Sequence, residues 1–252
     1  MSGVKKKISD FKKKNKSKNI SMPNQLVVIK NSMKDTGNWV ENWKEPKNRS
    51  IGHIPHPMRL LAMGSVGKGK TNTMKNVFLK HQSSKNPFKR LYIITCSLDN
   101  KEWDNCEPDD IFTNIPPLEL FTNNTKDKTL LIFDDWEMTK LDSNTERDLS
   151  TLFRYVSSHC NLSIMCGYQS WFDCHNICKK CANCFIVYKP NSRRELEEIN
   201  NRCGLDKGIL KDIFKTVCKG DFDSVMIDHT IGTPAKIRKN IYEKIDLNED
   251  SD

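Results

Sequence analysis

One eight-residue segment constrains this chain more than any other. Gly64-Ser65-Val66-Gly67-Lys68-Gly69-Lys70-Thr71 fits G-x-x-x-x-G-K-[ST] in full. The apolar run Arg59–Met63 precedes it, and a helical pattern with Met74, Val77 and Phe78 on one face follows. Such a segment must leave a buried strand, curl tightly and open a helix. Its glycines let successive backbone N–H groups converge on a phosphate-sized concavity at the positive end of the helix. The expected ligand is a Mg-nucleoside triphosphate, with ATP the first choice. Gly64, Ser65, Val66, Gly67, Lys68, Gly69, Lys70, Thr71 and Asn72 are the expected nucleotide-binding residues. Lys70 is expected on the β- and γ-phosphates, and the Thr71 hydroxyl on Mg²⁺.

A second feature has the chemistry the first one needs. Leu130-Leu131-Ile132-Phe133 is a buried-type strand that ends in Asp134-Asp135. An acidic pair at that place suits a Walker B site: Asp134 holds Mg²⁺ through water, and Asp135 polarises the attacking water as general base. Gln169 follows the strand Leu162–Cys166 by three residues. In a parallel sheet that is the carboxyl edge, where ligands bind, so Gln169 is expected to sense the γ-phosphate. Arg154, and less so Arg147, lie on the helix between these motifs. Either is a candidate arginine finger for a neighbouring subunit, although helix arginines are more often simply solvated.

The remaining pattern is α/β. Strands are expected at Leu91–Cys96, Thr129–Phe133, Leu162–Cys166, Cys184–Tyr188 and Ser224–Asp228. Helices are expected from about Asn144 to Ser157, from Ser192 to Arg202 and from Ile209 to Cys218. Ser143 with Glu146, and Ser192 with Glu195, read as capping boxes. Residues 99–128, with Pro108, Pro116 and Pro117, read as irregular. Gln25–Lys30 reads as a short β-rich run, and residues 31–57, with Trp39 and Trp43, as loop. Strands alternating with helices argue for a mostly parallel sheet covered on both faces.

Charge divides the chain further. The formal net charge is +9, but eight of the 41 basic residues and one of the 32 acids fall in residues 1–20. That leaves 33 against 31 elsewhere, so the basic balance belongs to the arm. Residues 1–24 read as a disordered basic arm, 25–245 as the nucleotide-binding domain, and 246–252 as an acidic tail. Lys13-Lys14-Asn15-Lys16 in the arm is also compatible with a nuclear-import patch. No membrane-length apolar run and no secretory signal is visible, so an intracellular protein is expected. On that reading the ten cysteines are reduced thiols. Cys96, Cys166 and Cys184 fall in expected strands as small hydrophobes. The dense stretch Cys174-His175-Asn176-Ile177-Cys178-Lys179-Lys180-Cys181-Ala182-Asn183-Cys184 does not follow a zinc-ribbon spacing, and structural thiols are expected there rather than metal.

The order of P-loop, double aspartate and a strand ending near Gln resembles the FtsK–HerA class. Within that class the chain is similar to the genome-packaging ATPases of large DNA viruses and virophages, the poxvirus type. The likeness runs from about Ile54 to Ile245. It includes Pro55-His56-Pro57-Met58-Arg59, Leu130–Asp135, His159-Cys160-Asn161-Leu162-Ser163, Gln169, Val225-Met226-Ile227-Asp228 and Ile237-Arg238-Lys239-Asn240. Two departures stand out. Those enzymes often carry Arg-His where this chain has Ser158-His159, which leaves the arginine finger unassigned. The second Walker B acid is often Glu, and Asp135 is one methylene shorter. The resemblance implies an α/β fold, a RecA-like (ASCE) P-loop NTPase built as a three-layer sandwich around a mostly parallel central sheet. It also implies a homo-oligomeric ring that uses ATP and Mg²⁺ to thread double-stranded DNA, without reading its sequence, into a preformed capsid. A capsid protein would be a partner, and host cytoplasm, virion or nucleus the location.

Two other readings use the same cradle. A P-loop nucleoside kinase, such as a thymidine kinase with a zinc cluster, would transfer the phosphate to a nucleoside. A nucleotide-gated DNA or capsid adaptor would bind without turnover, against which the intact Lys70, Thr71, Asp134 and Asp135 speak.

Overall fold

The computed structural model describes residue 54 and residues 56–247, except 85, 97, 99, 100, 124, 231, 232 and 234. The basic arm, the run Gln25–Lys30, Trp39, Trp43 and most of the acidic tail lie outside the described residues.

Alternation along β1 (Arg59–Met63) decides the layering. Leu60 and Ala62 face one way, Leu61 and Met63 the other, and all four are buried. A strand apolar on both faces must be covered on both. On one side Leu60, Ala62, Leu130, Ile132, Met165 and Ile186 pack with Met74, Val77 and Phe78 of α1 (Lys70–Gln82). On the other, Leu61, Met63, Leu131, Phe133, Ile164 and Cys166 pack with residues of several helices. These include Leu149 of α3 (Ser143–Thr151), Ile177 of α5 (Asn176–Cys181), Ile199 of α6 (Arg193–Arg202) and Leu210 of α7 (Ile209–Thr216). The result is the expected three-layer α/β sandwich.

The described residues form one nine-stranded sheet, in the order β3-β2-β4-β5-β1-β6-β7-β8-β9. Beside β1 these are β2 (Arg90–Thr95), β3 (Asp110–Phe112), β4 (Thr129–Asp134), β5 (Leu162–Tyr168), β6 (Cys184–Tyr188), β7 (Ser224–Asp228), β8 (Ile237–Lys239) and β9 (Glu243–Lys244). Every pairing from β3 to β6 is parallel. From β6 to β9 all are antiparallel. In the parallel half, β1 and β4 both end at the carboxyl edge with β5 between them.

Several local expectations need correcting. Residues 99–128 are not merely irregular: they hold a 3₁₀ turn (Lys101–Cys106), the edge strand β3 and the short helix α2 (Glu119–Thr122). Their apolar residues are too sparse for a period to show, yet Trp103 and Phe121 are buried. The cap of α3 is Asp142, whose Oδ1 accepts from Asn144 N and Thr145 N, and not Ser143. Two capping residues in succession left that choice open by one position, and the carboxylate took it. Ser192 does cap α6, accepting from Glu195 N at 3.4 Å. The Glu195 carboxylate, however, accepts from Trp171 N rather than turning back on Ser192. After α3 the helix widens into a π turn (Leu152–Val156) before the single turn α4 (Ser157–His159). Helix α7 ends at Thr216, short of Cys218. Cys96 stands just past β2 and is exposed, so it does not pack as a small hydrophobe; Cys166 and Cys184 are buried in strands as expected.

Candidate active site

Strand β1 delivers Gly64 to the carboxyl edge, where its N–H donates to the Tyr168 carbonyl at 3.1 Å. Gly67 and Gly69 then take φ of +77° and +88°, a region that L side chains rarely enter. Gly64 is needed for space instead. A Cβ there would lie 2.7 Å from the Tyr188 Cβ, so the loop is pressed against the end of β6. The Tyr188 hydroxyl donates to the Gly69 carbonyl at 3.2 Å and also bonds Thr73 Oγ1. Burial pushes its pKa up, which keeps that proton in place.

Lys70 is 7% exposed. Its Nζ donates to the Gly64 carbonyl at 2.8 Å and the Ser65 carbonyl at 3.2 Å. Burial lowers its pKa, opposed by the nearby Asp135 and Asp134 charges. Val66 and Gly67 are exposed at the tip of the loop, and Lys68 Nζ donates to the Asp221 carbonyl at 3.2 Å. Asn72 is exposed on the first turn of α1.

Two strand spacings, roughly 9–10 Å, separate β1 from β4, and side chains close that gap. Thr71 Oγ1 donates to Asp134 Oδ1 at 3.1 Å. The contact passes over Gly167 of β5, where a Cβ would meet Met74 Cε at 3.0 Å and Asp134 Oδ1 at 3.3 Å. The missing side chain at residue 167 is therefore part of the site, and no sequence pattern marks it. The other carboxylate oxygen, Asp134 Oδ2, accepts from Trp103 Nε1 at 2.7 Å. Burial pushes the Asp134 carboxyl pKa up, while the indole N–H and the Thr71 hydroxyl pull it down.

Asp135 is exposed, at φ +49°. This left-handed kink turns the chain away after β4, so that Asp134 stays buried while its neighbour faces outward. A cavity of about 230 Å³ is lined by Asp135, Gly167, Gln169 and Asp173 among others. A second, of about 130 Å³, is lined by Gly64, Ser65, Gln169, Tyr188 and Glu195 among others. Gln169 thus stands between the acidic pair and the glycine loop. The structure therefore gathers Gly64–Thr71, Asp134, Asp135 and Gln169 at one edge. Arg147 and Arg154 are exposed on the outer side of the helix between β4 and β5, and Arg154 lies two turns further from the carboxyl edge.

Cysteines 174–184 split between the faces of the sheet. Cys174 and Cys178 pack with Tyr168 and Met138 on the α3 side, and Cys184 on the α1 side. Burial pushes the Cys174 and Cys178 thiols up. Among the described residues no group of three or more His, Cys, Asp or Glu is arranged to hold a metal.

Fold and site together define an α/β sandwich with a glycine loop, leading from β1 into α1, at its carboxyl edge. Neither a protein-family model nor a curated protein matches the sequence. Solved structures match the fold. The genome packaging NTPase B204 of Sulfolobus turreted icosahedral virus 2, in complex with AMPPCP, superposes with a TM-score of 0.51 at 16% identity. That match covers 74% of this chain and 98% of that one. The same protein with ATP-gammaS gives 0.50 at 16% identity, covering 77% and 100%. B204, the DNA-packaging ATPase of Sulfolobus turreted icosahedral virus, gives 0.50 at 14%, covering 75% and 100%. The chain thus has the fold of these packaging NTPases over nearly their whole length.

Proposed function

We propose that this chain is an ATPase that binds Mg-ATP at Gly64–Asn72 and uses its hydrolysis to drive double-stranded DNA into a viral capsid. The observation that carries the reading is the Thr71–Asp134 contact, with Gln169 placed between Asp135 and the loop. The fold shared with packaging NTPases, some solved with ATP analogues, supports it.

The residues fit Mg²⁺. A hydroxyl and a carboxylate 3.1 Å apart are the hard oxygen donors this ion takes. Gly167 keeps a side chain out of the space between them. When bound, the ion neutralises charge growing on the β- and γ-phosphates. The backbone N–H groups of the loop hold the phosphates, and the Lys70 ammonium exchanges its two carbonyl partners for phosphate oxygens. Asp135, free of the fold's interior, accepts a proton from the attacking water, and Gln169 orients that water against the γ-phosphate. Because Asp is shorter than Glu, the water must sit close to the strand end. Arg154 remains the candidate to complete a neighbouring subunit's site in a homo-oligomeric ring. A ring would hold duplex DNA by its phosphates, without sequence preference, and would dock on a capsid protein.

ATP hydrolysis measured with and without double-stranded DNA tests this directly. Stimulation by DNA is expected. Phosphate transfer to a nucleoside would favour the kinase, and binding without turnover the adaptor. Removing residues 1–20 should weaken DNA binding and flatten its salt dependence, by about 0.9 of log–log slope for each phosphate the arm neutralises. An unchanged slope would reassign the arm to targeting or capsid docking.

A further inference from the structure

Trp103 stands outside every motif described above, yet its indole N–H meets the carboxylate expected to face Mg²⁺. The distance is 2.7 Å, and both side chains are almost fully buried: Trp103 is 1% and Asp134 2% exposed. Asp134 has two oxygens with different tasks. Oδ1 takes the Thr71 hydroxyl, on the side of the glycine loop, and Oδ2 takes the indole. A carboxylate bonded at both oxygens cannot rotate about its Cβ–Cγ bond without losing one of them. Hydrogen bonds to a charged acceptor are also the stronger kind.

The indole is itself fixed. It belongs to the 3₁₀ turn Lys101–Cys106, which leaves the carboxyl end of β2 beside β4. Its ring packs into the core that α1 covers. Lys75 of α1 donates to the Glu102 carbonyl and holds its ammonium 5.4 Å from the Trp103 ring centroid. The turn is therefore pinned to the same helix whose first residues form the phosphate cradle. A buried indole N–H needs some acceptor. Here the acceptor is Asp134, the buried acid that also bonds Thr71.

We propose that Trp103 is a positioning residue for Mg²⁺. It holds Asp134 in the rotamer that presents Oδ1 towards Thr71, so that the ion meets a preformed pair of oxygens. This rests on the reading of Gly64–Thr71 and Asp134 as a Mg-nucleotide site. Partners one bond removed from a metal ligand are commonly worth 10–100-fold in metal affinity, and a loss in that range is expected here.

The test compares wild type, Trp103→Phe, and the full-length chain with β-(3-benzothienyl)alanine at residue 103. The last keeps the shape of the indole but replaces N–H by sulfur. Binding of a non-hydrolysable ATP analogue is measured by calorimetry in EDTA and across a Mg²⁺ series, and Mn²⁺ binding by electron paramagnetic resonance. The expected result is a 10–100-fold loss of divalent-ion affinity in both altered proteins, with analogue affinity in EDTA unchanged. Wild-type ion affinity in the benzothienyl protein overturns the proposal. So does an equal loss of analogue affinity with and without the ion, which would make Trp103 a support of the loop alone. If Trp103→Phe fails to fold, the benzothienyl protein decides. If the wild type gains nothing from Mg²⁺, the underlying site reading has failed instead.

Discussion

His56 and Lys70 are both buried basic side chains, 3% and 7% exposed, at opposite edges of the same sheet. Their surroundings differ in kind. At the amino edge the His56 ring is used up. Nε2–H donates to Asn161 Oδ1 at 2.7 Å, and Nδ1 accepts from the Ser163 hydroxyl at 2.6 Å. Ser163 Oγ in turn accepts from Met58 N at 3.0 Å, and Asn161 Nδ2 donates to the Lys126 carbonyl at 3.3 Å. The partners come from distant parts of the chain, and each donor meets an acceptor. At the carboxyl edge Lys70 bonds only carbonyls five and six residues back in its own glycine loop. Those contacts can be exchanged without unpacking a strand. A saturated network stitches the fold; a local one leaves Lys70 able to change partners.

That contrast can be broken by mutation. Lys70→Ala should have the largest effect, eliminating turnover while the unfolding midpoint in urea stays near wild type. Retained turnover and affinity would remove the phosphate-loop assignment. Asp135→Asn should slow hydrolysis by at least ~100-fold yet keep Mg-nucleotide affinity in a titration. If Asp134→Asn behaves identically, with only metal affinity lost, the division of labour between the two acids is wrong.

His56→Ala should show the reverse profile. It takes one partner each from the buried Ser163 hydroxyl and the half-buried Asn161 carbonyl oxygen, at a cost of about 1–3 kcal/mol of stability, with turnover per folded molecule unchanged. It also removes an acid dependence. Burial and the Lys128 charge lower the His56 pKa from 6.5 to about 3. The unfolded chain therefore binds one more proton than the fold between those values. The His56 contribution is complete above pH 6.5 and is lost as pH falls towards 3, by at most about 1.4 kcal/mol per pH unit. Urea midpoints at pH 7 and pH 5 should separate further for wild type than for His56→Ala. An equal separation would discard His56 as the source.

The smallest effect concerns the cysteines. Purified protein should contain no stoichiometric zinc, and Cys181→Ser should leave both stability and turnover close to wild type. One zinc per chain, lost together with the fold on Cys178→Ser, would revive the kinase reading.

What could be read from sequence followed from how local the signal was. Gly64–Thr71 and Leu130–Asp135 are contiguous, and their geometry follows from residues within one turn or strand. Gln169 needed only the end of β5. Trp103, Gly167 and Tyr188 act on the site across 31, 33 and 119 residues of sequence, at Asp134 for the first two and at Gly69 for Tyr188. None has a local pattern to betray it. A Trp near the prolines of an otherwise polar stretch was the one available hint. The antiparallel half was equally hidden. The strand content of Ser224–Asp228 was visible, but nothing in five residues tells whether β7 runs with β6 or against it. The short strands β8 and β9 offer too few residues for alternation to register.

The sheet stops, among the described residues, in a three-residue strand on one side and a two-residue strand on the other. Short borders of this kind offer a second chain very few free peptide groups to pair with. The described borders are thus poorly suited to continuing the sheet of a second copy. The described residues offer helix faces and loops instead, which can slide and tilt against each other. For the ring motor proposed above, whose subunits would change their relative pose in every cycle, such joints serve better than a continuous ribbon of backbone hydrogen bonds.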